Sequence, residues 1–455
     1  MSKAVGSTRG RDHALVLGGS IAGLLAARVL AERFARVTVV ERDPLPRDAE
    51  PRKGVPQGRH VHVLLARGQQ IVERWFPDLL ATLPSDGLVG ADTGEQFFWH
   101  HFGCWKTRFR SGIRMLFVYR PHFEAEVARR VLALPNVDMI AGAEARGLLA
   151  DGEGRRVVGA RVARSTEGGG TEDIAADLVV DATGRGSQTP QWLRELGLPA
   201  PRESEVEIHV GYSSRIYRFQ PEPRPWQSLF VVPRPPDTRA AAVFPIGPDR
   251  WVVTLAGWLA DYPPVDPDGY LGFARSLPVP EVAAALEGAS PLTSAVPHRF
   301  PSSRRRHYER LRPAPEGLVV MGDALCSFNP VYGQGMTLAT LHAQALEESL
   351  GRAGTTPADL CRRYHRLAAK ASDVPWQLAT GEDFRYAKAK GRRPFGTRWV
   401  NAYVGRVHLA ASSDPAVAQA FFRVLHLLSP PALLFRPDIP FRLLRHALRG
   451  SAERE

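Results

Sequence analysis

The first forty residues carry two hydrophobic periods, and together these predict a strand, a helix and a second strand. Residues 14–17 form a short uninterrupted apolar run, as in a buried parallel strand. Residues 24–30 place apolar side chains at helical spacing, and residues 37–40 are a second run rich in β-branched residues. A glycine-rich turn at residues 18–23 joins the first strand to the helix. The pattern predicts a βαβ unit.

The turn and the residue after the second strand give this unit a candidate chemistry. Gly18, Ser20 and Gly23 follow the G-x-G-x-x-G spacing, with serine in place of the middle glycine. Such a turn presents backbone N–H groups and a helix N-terminus to a pyrophosphate, and the small serine could add its hydroxyl. Glu41 ends the second strand, where a carboxylate can accept hydrogen bonds from a ribose. The alternative is a glycine-rich turn in an ordinary α/β protein.

Two later segments repeat the order of apolar strand and glycine turn. Residues 178–181 lead into a turn that contains Gly184. Residues 318–321 lead into Gly322 and Asp323, and a second glycine turn at residues 333–335 precedes a helical pattern from Met336.

These three segments, in this order, resemble the FAD-dependent monooxygenases related to p-hydroxybenzoate hydroxylase, squalene epoxidase and polyether-type polyene epoxidases. The resemblance implies an α/β fold with a discontinuous Rossmann-like FAD-binding domain of the glutathione-reductase type. An inserted antiparallel β-sheet substrate domain and a helical C-terminal tail are expected with it. It also implies non-covalent FAD, with Asp323 at the ribityl chain and Gly333, Gly335 and Met336 beside the flavin pyrimidine ring.

The resemblance implies further cofactor contacts on arginine side chains. Arg120 precedes Pro121 at a predicted helix start, where the family places an arginine near the FAD diphosphate. Arg42 follows Glu41 as in squalene epoxidases, and the segment from residue 51 to 70 is expected beside the isoalloxazine ring. That segment supplies the candidates Arg52, Gln57, Arg59 and His60, whereas His62 could simply lie on the polar face of a short strand.

The resemblance divides the chain into three predicted regions. The FAD-binding domain comprises residues 1–75, 115–198 and 300–350, and the substrate domain comprises residues 76–114 and 199–299. Residues 204–258 alternate as antiparallel strands do. Phe98 and Trp105, from an aromatic-rich run, are the predicted substrate contacts, although ordinary sheet packing would also explain them.

The C-terminal region, residues 351–455, is predicted to be helical. The last helix places Phe441, Leu444 and Leu448 on one face, among arginines. Docking of this face on the rest of the domain is the favoured interpretation, and peripheral membrane contact is the alternative.

Composition and charge narrow the classes of partner. The chain has 455 residues, 44% of them hydrophobic, which is enough for a large core and more than one domain. Its net charge of +12 is almost wholly arginine and is not accompanied by a nucleic-acid motif, so no nucleic-acid partner is expected. A basic surface could favour an acidic ligand, a carrier protein or an anionic membrane.

Cysteine usage and hydropathy add two further expectations. Cys104, Cys326 and Cys361 have no metal-site or disulfide spacing, so no metal centre is expected. The polar N-terminus lacks a signal core, and no apolar run reaches the length of a membrane span. The cytoplasm is therefore the expected location.

The resemblance implies an enzyme that transfers oxygen from O2, through a flavin C4a-hydroperoxide, to an apolar alkene or aromatic secondary-metabolite-like substrate. The electrons would come from NAD(P)H, directly or through a separate flavin reductase. No second G-x-G-x-x-G and no W-x-W-x-I-P occur, which argues against a nicotinamide domain and a halogenase. A geranylgeranyl reductase-like enzyme and a flavin-binding protein without turnover are the alternatives. No catalytic side chain is assigned, and His60, His62, His100 and His101 are only candidates.

Overall fold

The computed structural model describes residues 11–44, 51–52, 56–83, 88–164, 170–220, 223–352 and 356–452. Its strands, in chain order, are β1 (His13–Leu17), β2 (Arg36–Glu41), β3 (Val63–Leu64), β4 (Leu88–Asp92), β5 (Phe97–His101), β6 (Cys104–Trp105), β7 (Arg114–Val118), β8 (Val137–Ala141), β9 (Ala143–Ala150), β10 (Val157–Arg164), β11 (Thr171–Ala175), β12 (Leu178–Asp181), β13 (Glu203–Phe219), β14 (Ser228–Val231), β15 (Arg239–Pro245), β16 (Arg250–Gly257), β17 (Ala289–Pro291), β18 (Val296–Arg306), β19 (Leu318–Val320), β20 (Cys326–Ser327) and β21 (Lys390–Gly391).

The helices connect and cover these strands. They are α1 (Ile21–Leu30), α2 (Ala66–Trp75), α3 (Leu79–Thr82), α4 (Arg120–Leu132), α5 (Thr189–Glu195), α6 (Pro267–Arg275), α7 (Glu281–Glu287), α8 (Gly335–Leu350), α9 (Pro357–Asp383), α10 (Thr397–Ala410), α11 (Pro415–Leu425) and α12 (Asp438–Ala452).

A parallel sheet of five strands, in the order β19-β12-β1-β2-β8, forms the Rossmann-like core. The apolar runs of the sequence become its central strands, because a parallel sheet covered on both faces needs apolar side chains on both. Val16 stands between Val180 and Val39 in register, and all three are buried. The predicted α/β fold with a Rossmann-like core is confirmed.

A second, larger sheet of ten strands carries the predicted antiparallel insertion. β13 is 17 residues long and pairs antiparallel with both β18 and β16, so it links the two halves of this sheet. β15 and β14 follow, and β5 joins β14 in parallel. The sheet reaches past the predicted substrate domain, because β18 crosses residue 300 and β20 and β21 lie in the other two regions.

The C-terminal region is mainly helical, as predicted, and it covers the side of the large sheet that holds β5. Val407 of α10 and Phe422 of α11 belong to one apolar cluster with Phe97 and Trp99. The prediction that Phe441, Leu444 and Leu448 of α12 pack on the rest of the domain is wrong. Phe441, Leu444 and Leu448 are 66%, 59% and 64% exposed, and the buried side chains of α12 are Ile439 and Leu443. None of the helices in the described ranges is long and apolar enough to cross a membrane.

Candidate active site

A cavity of about 560 Å³ lies where the two sheets meet. Its lining includes Leu17, Val40 and Ala182, which stand at the carboxyl ends of β1, β2 and β12. Open α/β sheets bind ligands beyond these ends. The opposite wall comes from β13, β15 and β16 of the large sheet, with Tyr212 and Thr254 among its residues. The cavity therefore joins the predicted dinucleotide turn to the predicted substrate sheet.

The turn after β1 is packed so closely that its glycines cannot be replaced. Gly18 has φ +100°, and a Cβ there would stand 2.5 Å from the carbonyl oxygen of Ala182. A Cβ on Gly23 would stand 1.8 Å from the carbonyl oxygen of Gly18, so Gly23 lies beneath the turn. Ser20 is the N-cap of α1 but does not cap it, because its hydroxyl donates to Glu124 Oε2 at 2.8 Å. The α1 N–H groups are left for a ligand at the cavity.

A buried network of charges borders this turn. Glu41 accepts hydrogen bonds from the N–H of Gly19 at 2.7 Å and lies 3.3 Å from the guanidinium of Arg52. Arg52 also pairs with Glu124, and Arg120 donates to Ser20 Oγ at 2.9 Å. Burial lowers the pKa of Arg52, but Glu124 and Glu41 outweigh it and the net shift is upward. Sequence analysis missed Glu124, although it stands four residues after Arg120 on one helical face.

Asp323 is a carboxylate directed into the cavity without a partner. It follows Gly322 after β19, and no hydrogen bond or ion pair joins it to any other described residue. Its side chain is exposed to the cavity, and the protein packed around the cavity desolvates the carboxylate. This burial raises the pKa of Asp323, with Arg120 and Arg185 opposing the shift. An enclosed carboxylate of this kind needs a donor, and ligand hydroxyls could provide one.

The second glycine turn stands on the same cavity. Gly333 has φ +67°, and a Cβ there would stand 2.5 Å from Val63 Cγ2. Gly335 begins α8, and both Gly335 and Met336 line the cavity. Two helix N-termini and one unpaired carboxylate thus face the same space. The N–H donors suit a pyrophosphate and a heterocycle that accepts hydrogen bonds, and the carboxylate suits the hydroxyls of a polyol chain. These three groups are the parts of FAD.

The apolar wall is formed by aromatic side chains other than those predicted. Phe97 and Trp99 of β5 line the cavity with Phe230 and Phe244. The predicted substrate contacts Phe98 and Trp105 do not line it. The guanidinium of Arg108 lies over the Phe98 ring, 4.4 Å from the ring centroid. Phe98 and Trp105 both pack against the apolar cluster that contains residues of α6 and α7. Successive strand residues face opposite sides of a sheet, and the aromatic run alone could not tell which side was the cavity.

A polar cluster interrupts the apolar wall. His60 Nδ1 lies 2.7 Å from Ser214 Oγ, and the His60 ring lies 4.6 Å from the ring of Tyr212 and 5.7 Å from that of His298. Burial, with His298 and Arg59 adding to it, lowers the pKa of His60 to about 3, so its imidazole is neutral. His60 Nε2, the Tyr212 hydroxyl and the His298 ring have no hydrogen-bond partner in the described part of the chain.

The remaining predicted residues divide into those that line the cavity and those that do not. Arg59 is exposed and does not line it, and Arg52 lies behind Glu41 rather than on the wall. His100 and His101 are buried elsewhere on β5. The predicted residues that line the cavity are Gly18, Ser20, Glu41, Arg42, Gln57, His60, His62, Arg120, Asp323, Gly333, Gly335 and Met336.

Arg185 also lines the cavity, and sequence analysis did not select it. It donates to Ser302 Oγ at 2.9 Å and lies 4.7 Å from the centroid of Phe300. The sequence could have indicated Arg185, because it directly follows Gly184 in the glycine turn after β12. Tyr212 and His298 had no such signal, since they lie inside long alternating strands.

Comparisons with known proteins agree with this geometry. The family described as FAD-dependent oxidoreductase matches residues 14–189. Protein Rv3254 of Mycobacterium tuberculosis (strain ATCC 25618 / H37Rv) is 36% identical over 463 residues, covering 96% of this chain and 94% of that protein.

Solved structures share the fold at low identity. The flavin-dependent brominase Bmp2 superposes with a TM-score of 0.68 at 14% identity, covering 97% of this chain and 100% of that one. The p-nitrophenol 4-monooxygenase PnpA from Pseudomonas putida DLL-E4 gives 0.61 at 19% identity, covering 91% and 98%. The closer resemblance to p-hydroxybenzoate hydroxylase and squalene epoxidase stays a prediction. This chain belongs to the FAD-dependent oxidoreductases, in the same family as Protein Rv3254.

Proposed function

We propose that this chain is an FAD-dependent monooxygenase, an epoxidase or hydroxylase, that adds one oxygen atom of O2 to an apolar alkene or aromatic substrate. The observation that carries the proposal is one continuous cavity, in which the residues of the dinucleotide turn and of a second helix N-terminus adjoin an aromatic wall. A flavin and an apolar substrate could meet there without bulk water. Reduced FAD, when bound, supplies the electrons and the reactive centre that activate O2.

The chain's contribution at one end of the cavity is to bind and orient the cofactor. The N–H groups at the start of α1 and the guanidinium of Arg120 would hold the pyrophosphate. Glu41 would accept a ribose hydroxyl and Asp323 a ribityl hydroxyl. The start of α8, at Gly335 and Met336, would donate N–H groups to the pyrimidine ring.

At the other end, the aromatic wall would hold the substrate and exclude water. Phe97, Trp99, Phe230 and Phe244 offer a broad apolar surface, which suits an alkene or an arene and not a sugar or a nucleotide. Exclusion of water protects a reactive oxygen donor from wasteful breakdown.

The cluster of His60, Tyr212 and His298 would bind the polar end of such a substrate. The Tyr212 hydroxyl can donate to a substrate oxygen, and burial raises its pKa, which keeps the proton on it. A hydrogen bond joins His60 Nδ1 to Ser214 Oγ, so Nε2 is the ring nitrogen left for a ligand hydroxyl. The cavity therefore favours an apolar substrate with one hydroxyl or carbonyl group.

The proposed electron donor is NAD(P)H, acting directly or through a separate flavin reductase. The test uses purified holoprotein with NAD(P)H, with or without a general flavin reductase, and a panel of apolar alkenes and hydroxyarenes under ¹⁸O2. We expect substrate-dependent oxygen uptake and one ¹⁸O atom in the product.

Two other results would reject the proposal. Saturation of an isoprenoid double bond under anaerobic conditions would assign the reductase alternative. Tight FAD binding with no substrate-stimulated oxidation of the reduced flavin, across the panel, would favour a flavin-binding protein without turnover.

A further inference from the structure

Exposed apolar side chains are concentrated at the C-terminal end of the molecule. Ten large hydrophobic side chains are exposed in the described part of the chain, and only Val265 and Leu292 lie before residue 395. The other eight fall within 54 residues. They are Phe395, Trp399, Val400, Leu409, Phe435, Phe441, Leu444 and Leu448. Isolated exposed apolar residues are ordinary, but such a concentration marks an interaction surface.

Ring contacts join members of this set along α10 and at Phe435, and α12 packs against both segments. The Phe395 and Trp399 ring centroids are 5.4 Å apart, and Tyr403, one turn further along α10, stacks on Phe435 at 4.7 Å. α12 turns Ile439 and Leu443 inward and leaves Phe441, Leu444 and Leu448 outward. We call the seven residues Phe395, Trp399, Val400, Phe435, Phe441, Leu444 and Leu448 the C-terminal apolar surface.

The same region has a large excess of positively over negatively charged residues. Residues 384–448 contain eleven Lys and Arg residues against two Asp residues, which is +9 of the formal net charge of +12. Arg398 and Arg436 directly adjoin Trp399 and Phe435, and Arg406 follows on α10. All three are exposed, and none has an ion-pair partner among the described residues. The charge at these three positions is therefore not neutralised by the described protein, whereas Arg442 and Arg445 of α12 pair with Asp414.

We propose that the C-terminal apolar surface docks the enzyme on an anionic phospholipid bilayer. Aromatic and leucine side chains ringed by arginine are the composition of helices that lie in the membrane interface. A bilayer offers anionic headgroups and an apolar layer together. A second copy would bring two strongly basic surfaces into contact, and an acidic protein alone would leave the apolar side chains without a complement. This docking does not depend on the proposed oxygenase activity.

The test is flotation of the holoprotein with vesicles. One set contains phosphatidylcholine alone, and the other contains about 30% phosphatidylglycerol, a fraction chosen to give a negative surface potential. We expect roughly tenfold or greater enrichment on the anionic vesicles, falling as salt is raised to about 0.5 M because the headgroup charge is screened. Equal binding to both vesicle sets, or binding to neither, would overturn the proposal.

Variants test whether the C-terminal apolar surface is the part of the protein that binds the vesicles. All of them replace exposed side chains, so the fold should be preserved. Phe441→Ser with Leu444→Ser and Leu448→Ser should lower binding about tenfold, and Arg398→Gln with Arg436→Gln should lower binding to the anionic vesicles alone. Val265→Ser with Leu292→Ser is the matched control and should bind as the wild type does. Brominated lipid should quench tryptophan emission in the wild type and less in Trp399→Phe.

Two outcomes would identify a different occupant and reject the bilayer. A concentration-dependent dimer that the triple serine variant abolishes, without vesicle binding, would assign a second copy. Retention on poly-glutamate without vesicle binding would assign an acidic protein.

Discussion

At the scale of single residues, Asp383 holds one wall of the cavity in place. It ends α9 and accepts hydrogen bonds from Asn329 Nδ2 at 2.9 Å, Tyr332 Oη at 3.3 Å and Trp258 Nε1 at 3.4 Å. Tyr332 lines the cavity just before Gly333. Burial raises the pKa of Asp383 to about 7, although these three hydrogen bonds oppose the shift. Its other carboxylate oxygen has no hydrogen-bond partner among the described residues.

This shift predicts a pH dependence of stability. In the unfolded chain an aspartate titrates near pH 4, so between about pH 4 and 7 the native state holds a proton that the unfolded state lacks. The contribution of Asp383 is therefore full at pH 4 and lost as pH rises through 7. Asp383→Asn should be more stable than the wild type at pH 8, by about 1–4 kcal/mol, and nearly equal to it at pH 4.

Chemical denaturation at pH 4, 6 and 8 measures this difference. Asp138→Asn is the control, because Asp138 is exposed and no hydrogen bond or ion pair joins its side chain to another described residue. A difference between Asp383→Asn and the wild type that does not change with pH would contradict the prediction.

Asp323 gives a direct test of the cofactor assignment. Because no hydrogen bond or ion pair joins its side chain to another described residue, Asp323→Ala should leave the fold intact and weaken FAD retention by about 1–3 kcal/mol for each unpaired hydroxyl. Glu41→Ala should weaken FAD binding as well, but it also removes the partner of Gly19 and Arg52 and should lower apoprotein stability. FAD titration measures the loss of cofactor affinity in both variants, and melting of the apoprotein shows the loss of stability expected of Glu41→Ala alone. Unchanged FAD affinity in Asp323→Ala would reject its role.

At the scale of elements, β5 decides which aromatic side chains reach the cavity. Trp99 is buried against Phe230, with ring centroids 5.8 Å apart, and it lines the cavity. Phe98 precedes it and is half-buried on the other face, beside Trp105. Of these two adjacent residues of β5, Trp99 therefore lines the cavity and Phe98 packs on the opposite face of the sheet.

Trp99→Leu and Phe98→Leu form a matched pair. Both should lower stability by about 1–3 kcal/mol through lost packing. Only Trp99→Leu should raise the hydrogen peroxide released per NAD(P)H consumed, by about twofold or more, because a looser wall admits water. Peroxide yield and melting temperature are measured together. Equal uncoupling in both variants would mean that β5 does not separate two environments.

The elements also show what the sequence could reveal. The βαβ unit and both glycine turns were predictable, because turn, helix and strand signals are local. The large sheet pairs segments that are far apart in the sequence. β5 pairs with β14, more than a hundred residues later, and β13 pairs with both β16 and β18. No local pattern specifies such pairing, so the cavity side of each strand, and with it Tyr212, His298 and Trp99, could not be assigned from sequence.

At the scale of the whole molecule, the cavity is assembled from distant parts of the chain. Gly18, Arg120, Gly184, Asp323 and Leu425 all line it. A ligand that spans these parts stabilises their association in addition to its own contacts.

FAD should therefore raise the melting temperature of the apoprotein by several degrees. A ligand present at a hundred times its dissociation constant adds about 2.7 kcal/mol to the free energy of unfolding. FMN lacks the adenosine half that would reach Glu41, so its shift should be smaller at equal concentration. Melting curves of the apoprotein with FAD, FMN or neither make the measurement. An FMN shift as large as that of FAD would contradict the role given to the first βαβ unit.

The position of α11 has a consequence for how the protein is made. Phe97 and Trp99 are synthesised early, but Phe421, Phe422 and Leu425, which cover or adjoin them, belong to the last tenth of the chain. Until α11 has been translated, the side of Trp99 that Phe421 and Phe422 cover stays exposed and presents an apolar surface to other chains. We expect the nascent chain to need chaperone protection until release, and a premature stop before α11 to yield aggregates and not a smaller active enzyme.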